Sequence, residues 1–255
     1  MFATALIVML LSSIGGKITL SWYSVIIAII YAGFTLVSHF CLMTALRKGD
    51  IGITSLIYYC TFIIPTVFSA IAWQESFSVM KIIGIALIVV SFVIGVEKKG
   101  GKGGKAWFAI SLLSMVTAGV IGITQKIFAK STHTAELNGM LILNFVFLTV
   151  ATLLIHFFYE RKRTVKDEWE SESRLPLPRK ELLSAIVMGA TVAIANKINT
   201  YLPSVMDGVI FFPVLNGGSI ILGAIGGIIF FKEKVSVRKA ISIITGVVAI
   251  VLTVL

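Results

Sequence analysis

The sequence predicts an all-α integral membrane protein, a polytopic helical bundle built from two inverted five-helix repeats. Three observations predict this. The chain of 255 residues is 57% hydrophobic and only 13% charged, with a mean hydropathy of +0.99, a balance suited to solvation by a bilayer. Eight long apolar segments follow one another, each near the roughly 20 residues that cross the hydrocarbon as a helix. Finally, residues 73–91, WQESFSVMKIIGIALIVVS, recur in degenerate form at 231–249, FKEKVSVRKAISIITGVVA, a shift of 158. That shift places Glu75 on Glu233, Ser78 on Ser236, Val79 on Val237, Lys81 on Lys239 and Val90 on Val248.

The segments run at about 22–46, 50–73, 79–96, 106–128, 138–159, 181–202, 207–231 and 238–255. Several carry glycines, which helices in lipid tolerate because their neighbours re-satisfy the backbone. A shorter apolar run, Phe2 to Ile14, lacks the positive leader of a signal peptide and reads as the tail of a helix. The second half then holds five segments, and the first holds three and a fragment. A complete first half needs roughly 40 more residues, so the first repeat is expected to be truncated at its N-terminus. Five spans per repeat is an odd number, so the second copy enters the membrane inverted, as in many secondary transporters. The repeats are assigned to 1–97 and 106–255. The run Lys98-Lys99-Gly100-Gly101-Lys102-Gly103-Gly104-Lys105 reads as a basic linker between them, since it lacks the GxxxxGK[ST] pattern of a phosphate cradle. The loop 160–180, with Arg161-Lys162-Arg163 and then Glu168, Glu170 and Glu172, reads as a solvated connection.

The formal net charge of +10 reflects membrane orientation better than nucleic-acid binding, because no basic stripe interleaves with aromatics. Seventeen of the 22 Lys and Arg fall in alternate loops, at 47–50, 97–105, 160–180 and 232–239. The positive-inside rule puts those loops in the cytoplasm and Leu255 outside, with the plasma membrane as the expected location. Trp22, Trp73 and Trp107 lie near span ends, where interfacial aromatics belong. Cys41 and Cys60 sit in apolar runs and read as packed thiols. The three histidines are scattered, and no HExxH motif, Ser/His/Asp grouping or nucleotide site is apparent, so no enzyme activity is expected.

Pro65, then Glu75 with Ile83-Gly84-Ile85-Ala86-Leu87-Ile88, and in the second half Phe231-Lys232-Glu233-Lys234 with Ile244-Thr245-Gly246-Val247, resemble the drug/metabolite transporter superfamily, specifically its EamA-like ten-helix members. The likeness covers nearly the whole chain, but its motifs are loose and define no substrate. It implies a five-plus-five inverted repeat around a central cavity, with alternating access for a small metabolite. Against the family pattern the first helix is expected to be missing, and the charge count puts the C-terminus outside where members generally keep both termini in the cytoplasm.

An ionisable group inside a span costs about 2.5–3.5 kcal/mol on insertion scales and is a functional candidate for that reason. His39 and Lys197 are two such groups, and they are 158 residues apart. Tyr31, Thr35 and His39 share one helix face, as do Ala185, Gly189, Ala193 and Lys197; these faces are expected to line the cavity. The plainer alternatives are a snorkelling Lys197 and a packed core His39. The same shift pairs Tyr58 with Asn216, and Asn216-Gly217-Gly218-Ser219 after Pro213 reads as a polar break in its helix, a feature of substrate sites in transporters. Interhelical hydrogen bonding is the alternative. Ser111, Ser114 and Gln125 add polar groups from segment 106–128. Glu75 and Glu233, at span ends, read as helix N-terminal or ion-pair residues.

No acidic residue lies mid-span, so a cavity bearing Lys197 and His39 favours anionic or neutral polar solutes. The expected partners are a small-molecule solute and membrane lipid, with a homodimer as a further assembly. Nucleic acid, cofactors and metals are not expected. A non-transporting membrane protein, handling lipid or acting as a scaffold, is the alternative function.

Overall fold

The structure, a computed structural model, describes residues 1–14, 18–95, 104–163, 179–231 and 236–255. Most of the basic linker 98–105 and of the loop 160–180 lie outside the described residues, as do Lys17 and Glu233. The order is α1 (Phe2–Ser12), α2 (Trp22–Lys48), α3 (Ile51–Tyr59), a 3-10 turn (Cys60–Phe62), α4 (Ile63–Ala72), α5 (Val79–Gly95) and α6 (Lys105–Ala129). A second 3-10 turn (Thr134–Glu136), α7 (Leu137–Arg163), α8 (Arg179–Val205), α9 (Gly208–Phe231) and α10 (Val237–Val254) complete it. No strand occurs among the described residues, so the chain is all-α there.

Among the described residues, seven helical stretches are long and apolar enough to cross a membrane, with α3, the turn and α4 forming one of them, Ile51–Ala72. Large apolar side chains stay exposed along them, including Leu153 (60%), Leu222 (70%) and Ile244 (64%), as lipid contact allows and water contact does not. The sequence suggested eight full spans. The remaining one, α5, starts at Val79 as expected and is shorter at 17 residues, Val79–Gly95, after the non-helical connection 74–78. At 1.5 Å per residue it is about 25 Å long, the lower limit for the hydrocarbon core.

The chain forms two compact units, and neither coincides with a sequence half. One is Met1–Gly33 with Phe128–Tyr201; the other is Phe34–Ile127 with Leu202–Leu255. In the first, α1 packs on α7 and lies close against α8. The Thr4 hydroxyl donates to the Ala185 carbonyl at 3.0 Å, and a Cβ on Gly189 would overlap Thr4 and lie 2.7 Å from the Met1 carbonyl oxygen. The small residues before Lys197 therefore admit a helix, the packing use of such a stripe in lipid.

In the second unit α5 pairs with α10, and α4 packs on α9. Phe62, Ile88, Phe92, Phe211, Phe212 and Ala249 form the core among these helices. Lipid tails are as apolar as leucine, so close helix contact depends on small residues and interhelical hydrogen bonds. The α5–α10 seam has both. Ser91 Oγ donates to the Ser242 carbonyl at 2.7 Å, and Ser242 Oγ returns a bond to the Ser91 carbonyl at 2.8 Å. A Cβ on Gly84 would overlap Thr253 Oγ1 and lie 2.8 Å from the Ala249 carbonyl oxygen. One on Gly95 would come within 2.6 Å of Ser242 Oγ. Positions on α10 fall as those on α5 rise, so the two helices run antiparallel.

The 3-10 turn in the span Ile51–Ala72 is explained by Pro65. A proline has no N–H to give the carbonyl four residues back, and its ring crowds that carbonyl, here that of Thr61. The local hydroxyls are satisfied elsewhere, Thr61 Oγ1 on the Met115 carbonyl (2.6 Å) and Thr66 Oγ1 on the Phe62 carbonyl (2.7 Å).

Replacing Gly84 with valine is expected to destabilise the protein by about 1–3 kcal/mol, since backbone atoms of α10 block the new side chain. Gly33→Ala, with nothing within 4 Å of the added Cβ, is expected to be neutral or stabilising by up to about 1 kcal/mol. Thermal unfolding of the two variants in one detergent checks both expectations.

Candidate functional site

The residues singled out in the sequence divide between the two units. Tyr31 and Lys197 belong to the first; Thr35, His39, Tyr58, Ser114, Gln125 and Asn216 belong to the second. His39 and Lys197 therefore fall in different units.

In the first unit the buried Tyr31 hydroxyl on α2 donates to Asn196 Oδ1 on α8, and Asn196 Nδ2 donates to the Val192 carbonyl at 2.8 Å. Asn196 was not anticipated, although it adjoins Lys197. Lys197 is half-buried, and Ala193, one turn before it, is fully buried. The face shared by Ala193 and Lys197 thus passes from a fully buried to a half-buried position.

In the second unit His39 is half-buried with Nδ1 at 2.9 Å from the Thr35 carbonyl. Thr35 is buried, and its hydroxyl has no partner among the described residues. Ser38, on the same helix, donates to the Ser114 carbonyl on α6 at 3.2 Å and is the side-chain hydrogen-bond neighbour of Tyr58 on α3. The structure therefore brings Tyr58 and Ser114 together through Ser38, a residue with no distinguishing signal in the sequence. Ser114 Oγ itself donates to the Ser111 carbonyl at 2.7 Å. Gln125 is buried near the end of α6.

Asn216 departs from expectation. The polar tetrapeptide 216–219 does not break its helix: α9 continues from Gly208 to Phe231 with Pro213 inside it. Asn216 Nδ2 donates to the Phe212 carbonyl (3.0 Å) and Ser219 Oγ to the Leu215 carbonyl (2.6 Å), so both polar side chains are satisfied by their own helix. The irregular backbone lies instead at Cys60–Phe62, directly after Tyr58.

Two constellations were not legible. At the start of α2, Glu136 Oε2 accepts from the Ser21 backbone N–H (2.8 Å), the Ser21 hydroxyl (2.7 Å) and the Ser24 hydroxyl. His133 Nδ1 lies 3.3 Å from Glu136 Oε1 and 3.2 Å from Ser21 Oγ, and its ring stacks on Tyr23 at 4.9 Å. The three residue types match a hydrolytic triad, but one imidazole nitrogen faces both partners. A triad needs the serine and the acid on opposite nitrogens. The arrangement is that of a helix N-cap, with Ser21 Oγ accepting from the Ser24 N–H (3.3 Å) and a carboxylate at the positive end of the helix.

The second constellation is an ion pair between Lys126 Nζ and Glu75 Oε1 at 2.7 Å, with side chains 0% and 5% exposed. Lys126 also donates to the Met206 carbonyl at 3.0 Å and sits 5.7 Å from the centre of the Trp73 ring. Glu75 Oε2 accepts from the Val209 N–H at 3.0 Å, in the first turn of α9. The helix-terminal and ion-pair reading of Glu75 describes these contacts, on α9 rather than on the α5 that succeeds it in the chain. Lys126, inside an apolar segment, carried the same signal that selected Lys197.

No protein-family model matches the chain, and no curated protein matches it. The chain is similar to a solved structure described only as "Crystal structure of protein", at 18% identity, with 100% of this chain and 86% of that chain covered and a TM-score of 0.75. The two share a fold. With seven apolar spans and no strand among the described residues, the chain is a polytopic helical protein of membrane type.

Tyr31→Phe removes the donor to the half-buried Asn196 and is expected to cost about 0.5–1.5 kcal/mol, the net worth of one hydrogen bond. Unfolding of wild type and variant in the same detergent measures it.

Proposed function

We propose that the chain is a secondary transporter of a small anionic or neutral polar metabolite, an EamA-like member of the drug/metabolite transporter superfamily, working by alternating access between two inverted repeats. The observation that carries this reading is the α5–α10 seam. The helices start at Val79 and Val237, 158 residues apart. Applied to their contacts, that shift turns Gly84 against Thr253 into Ser242 against Gly95, a contact that is also present. Helices that are sequence equivalents, run antiparallel and exchange contacts in this way obey a pseudo-two-fold axis across them. For helices that span a bilayer, the axis lies in the membrane plane, the relation from which alternating access arises. The pairing of α4 with α9 supports the same scheme, because both belong to the spans that precede these helices.

Lys197 and His39 are ionisable groups within apolar helices, where such groups mark a pathway, and no carboxylate lies mid-span. In this reading Lys197, His39, Tyr31, Thr35, Tyr58, Asn216, Ser114 and Gln125 are substrate-binding candidates. The protein sits in the plasma membrane with the basic loops in the cytoplasm, and its partners are the solute and lipid.

A thermal-shift screen of the purified protein against small metabolites tests the proposal. Acids or polar neutral solutes are expected to stabilise it, by about 2.7 kcal/mol at one hundred times Kd, and to lose at least tenfold in affinity in Lys197→Ala, the equivalent of about 1.4 kcal/mol. Uptake and binding of every accepted solute unchanged by Lys197→Ala would count against it.

A further inference from the structure

Gln74 is the one non-glycine residue with positive φ among the described residues, at 51°. A side chain in the left-handed region is uncommon and persists only where its surroundings hold it there. The next residue in the chain is Glu75, the carboxylate of the buried pair with Lys126. The left-handed turn stands directly before Glu75, whose side chain is buried although Gln74, Ser76, Phe77 and Ser78 around it are exposed.

The pair gathers several segment ends. Trp73 closes α4 and faces Lys126, which lies in the last turn of α6. The Met206 carbonyl just beyond α8 accepts from Lys126, and the Val209 N–H at the start of α9 donates to Glu75. Beneath it, Ser69 is fully buried, and a Cβ on Gly208 would overlap its hydroxyl. The groups joined are therefore connections and helix ends, which can move apart without unwinding a span.

A buried ion pair is a poor means of adding stability, because desolvation offsets most of the attraction and apolar packing does as well or better. Its distinctive property is that the two charges are held only while they face each other. Separation leaves each in need of water, which an opened aqueous path supplies.

We propose that the Glu75–Lys126 pair, seated on the left-handed turn at Gln74, is a latch that fastens the ends of α4, α6, α8 and α9 and parts when this end of the bundle opens. The proposal rests on the alternating-access reading. The loop charges put this latch at the non-cytoplasmic end.

The test measures local opening in the full chain, so it needs no solute. A reporter cysteine replaces the buried Ser69, in a protein whose Cys41 and Cys60 are changed to alanine. Reaction with a charged, water-soluble maleimide is followed in nanodiscs, where both faces are accessible. Glu75→Gln, which keeps an acceptor for Val209, and Lys126→Met are each expected to raise the labelling rate about tenfold or more, the population shift that loss of one partner of a buried pair can produce. A parallel reporter, Ser91→Cys in the α5–α10 seam, is expected to stay as slow as before. Unchanged labelling at position 69 overturns the latch, and so does equal acceleration at 69 and 91, which marks general loosening. Either result leaves the transporter reading to the solute screen.

Discussion

A polar group inside a bilayer has no water to turn to, so it must find its partner within the chain. Most of the distinctive contacts in this structure answer that requirement. Thr66, Thr117, Thr152, Asn216 and Ser219 meet it locally, each donating to a carbonyl of its own helix. Ser38, Thr61, Ser91 and Ser242 meet it across helices, and those bonds fix which helices touch and how closely. Glu75 and Lys126 meet it with each other. Apolar side chains remain exposed along the spans because lipid asks nothing of them.

The same requirement explains which features could be read from the sequence and which could not. Helix positions were legible because an apolar run of span length has one stable form in lipid. The 158-residue shift was legible because the Glu75 and Glu233 segments retain enough identities to align. Side-chain partners were not. Glu75 and Lys126 lie on different segments and meet only once α4, α6 and α9 are assembled, and Ser21 reaches Glu136 across most of the first half. Local rules also misjudged 216–219: Gly-Gly beside two polar residues reads as a break in water, whereas in an apolar helix Asn216 and Ser219 bond back to their own turns. The real irregularity came from Pro65, whose effect falls on Thr61, four residues upstream.

Trp73 and Trp107 show how one residue type serves two ends. Both sit where interfacial aromatics are expected, yet Trp73 covers Lys126, and Trp107 donates its indole N–H to Thr54 Oγ1 at 2.9 Å. Trp22, 78% exposed, keeps the simpler role of a surface aromatic. Placement at a span end is thus compatible with a structural contact as well as an anchoring one.

The α5–α10 seam also has a meaning for biosynthesis. Gly84 and Ser91 meet partners at Thr253 and Ser242, so α5 must wait in the membrane while some 140 further residues are made. Contacts of such long sequence separation form late and slowly, and the unpaired element stays open to wrong partners meanwhile. During that interval the serine and glycine edge of α5 faces lipid or a neighbouring chain. Only the arrival of α10 completes it.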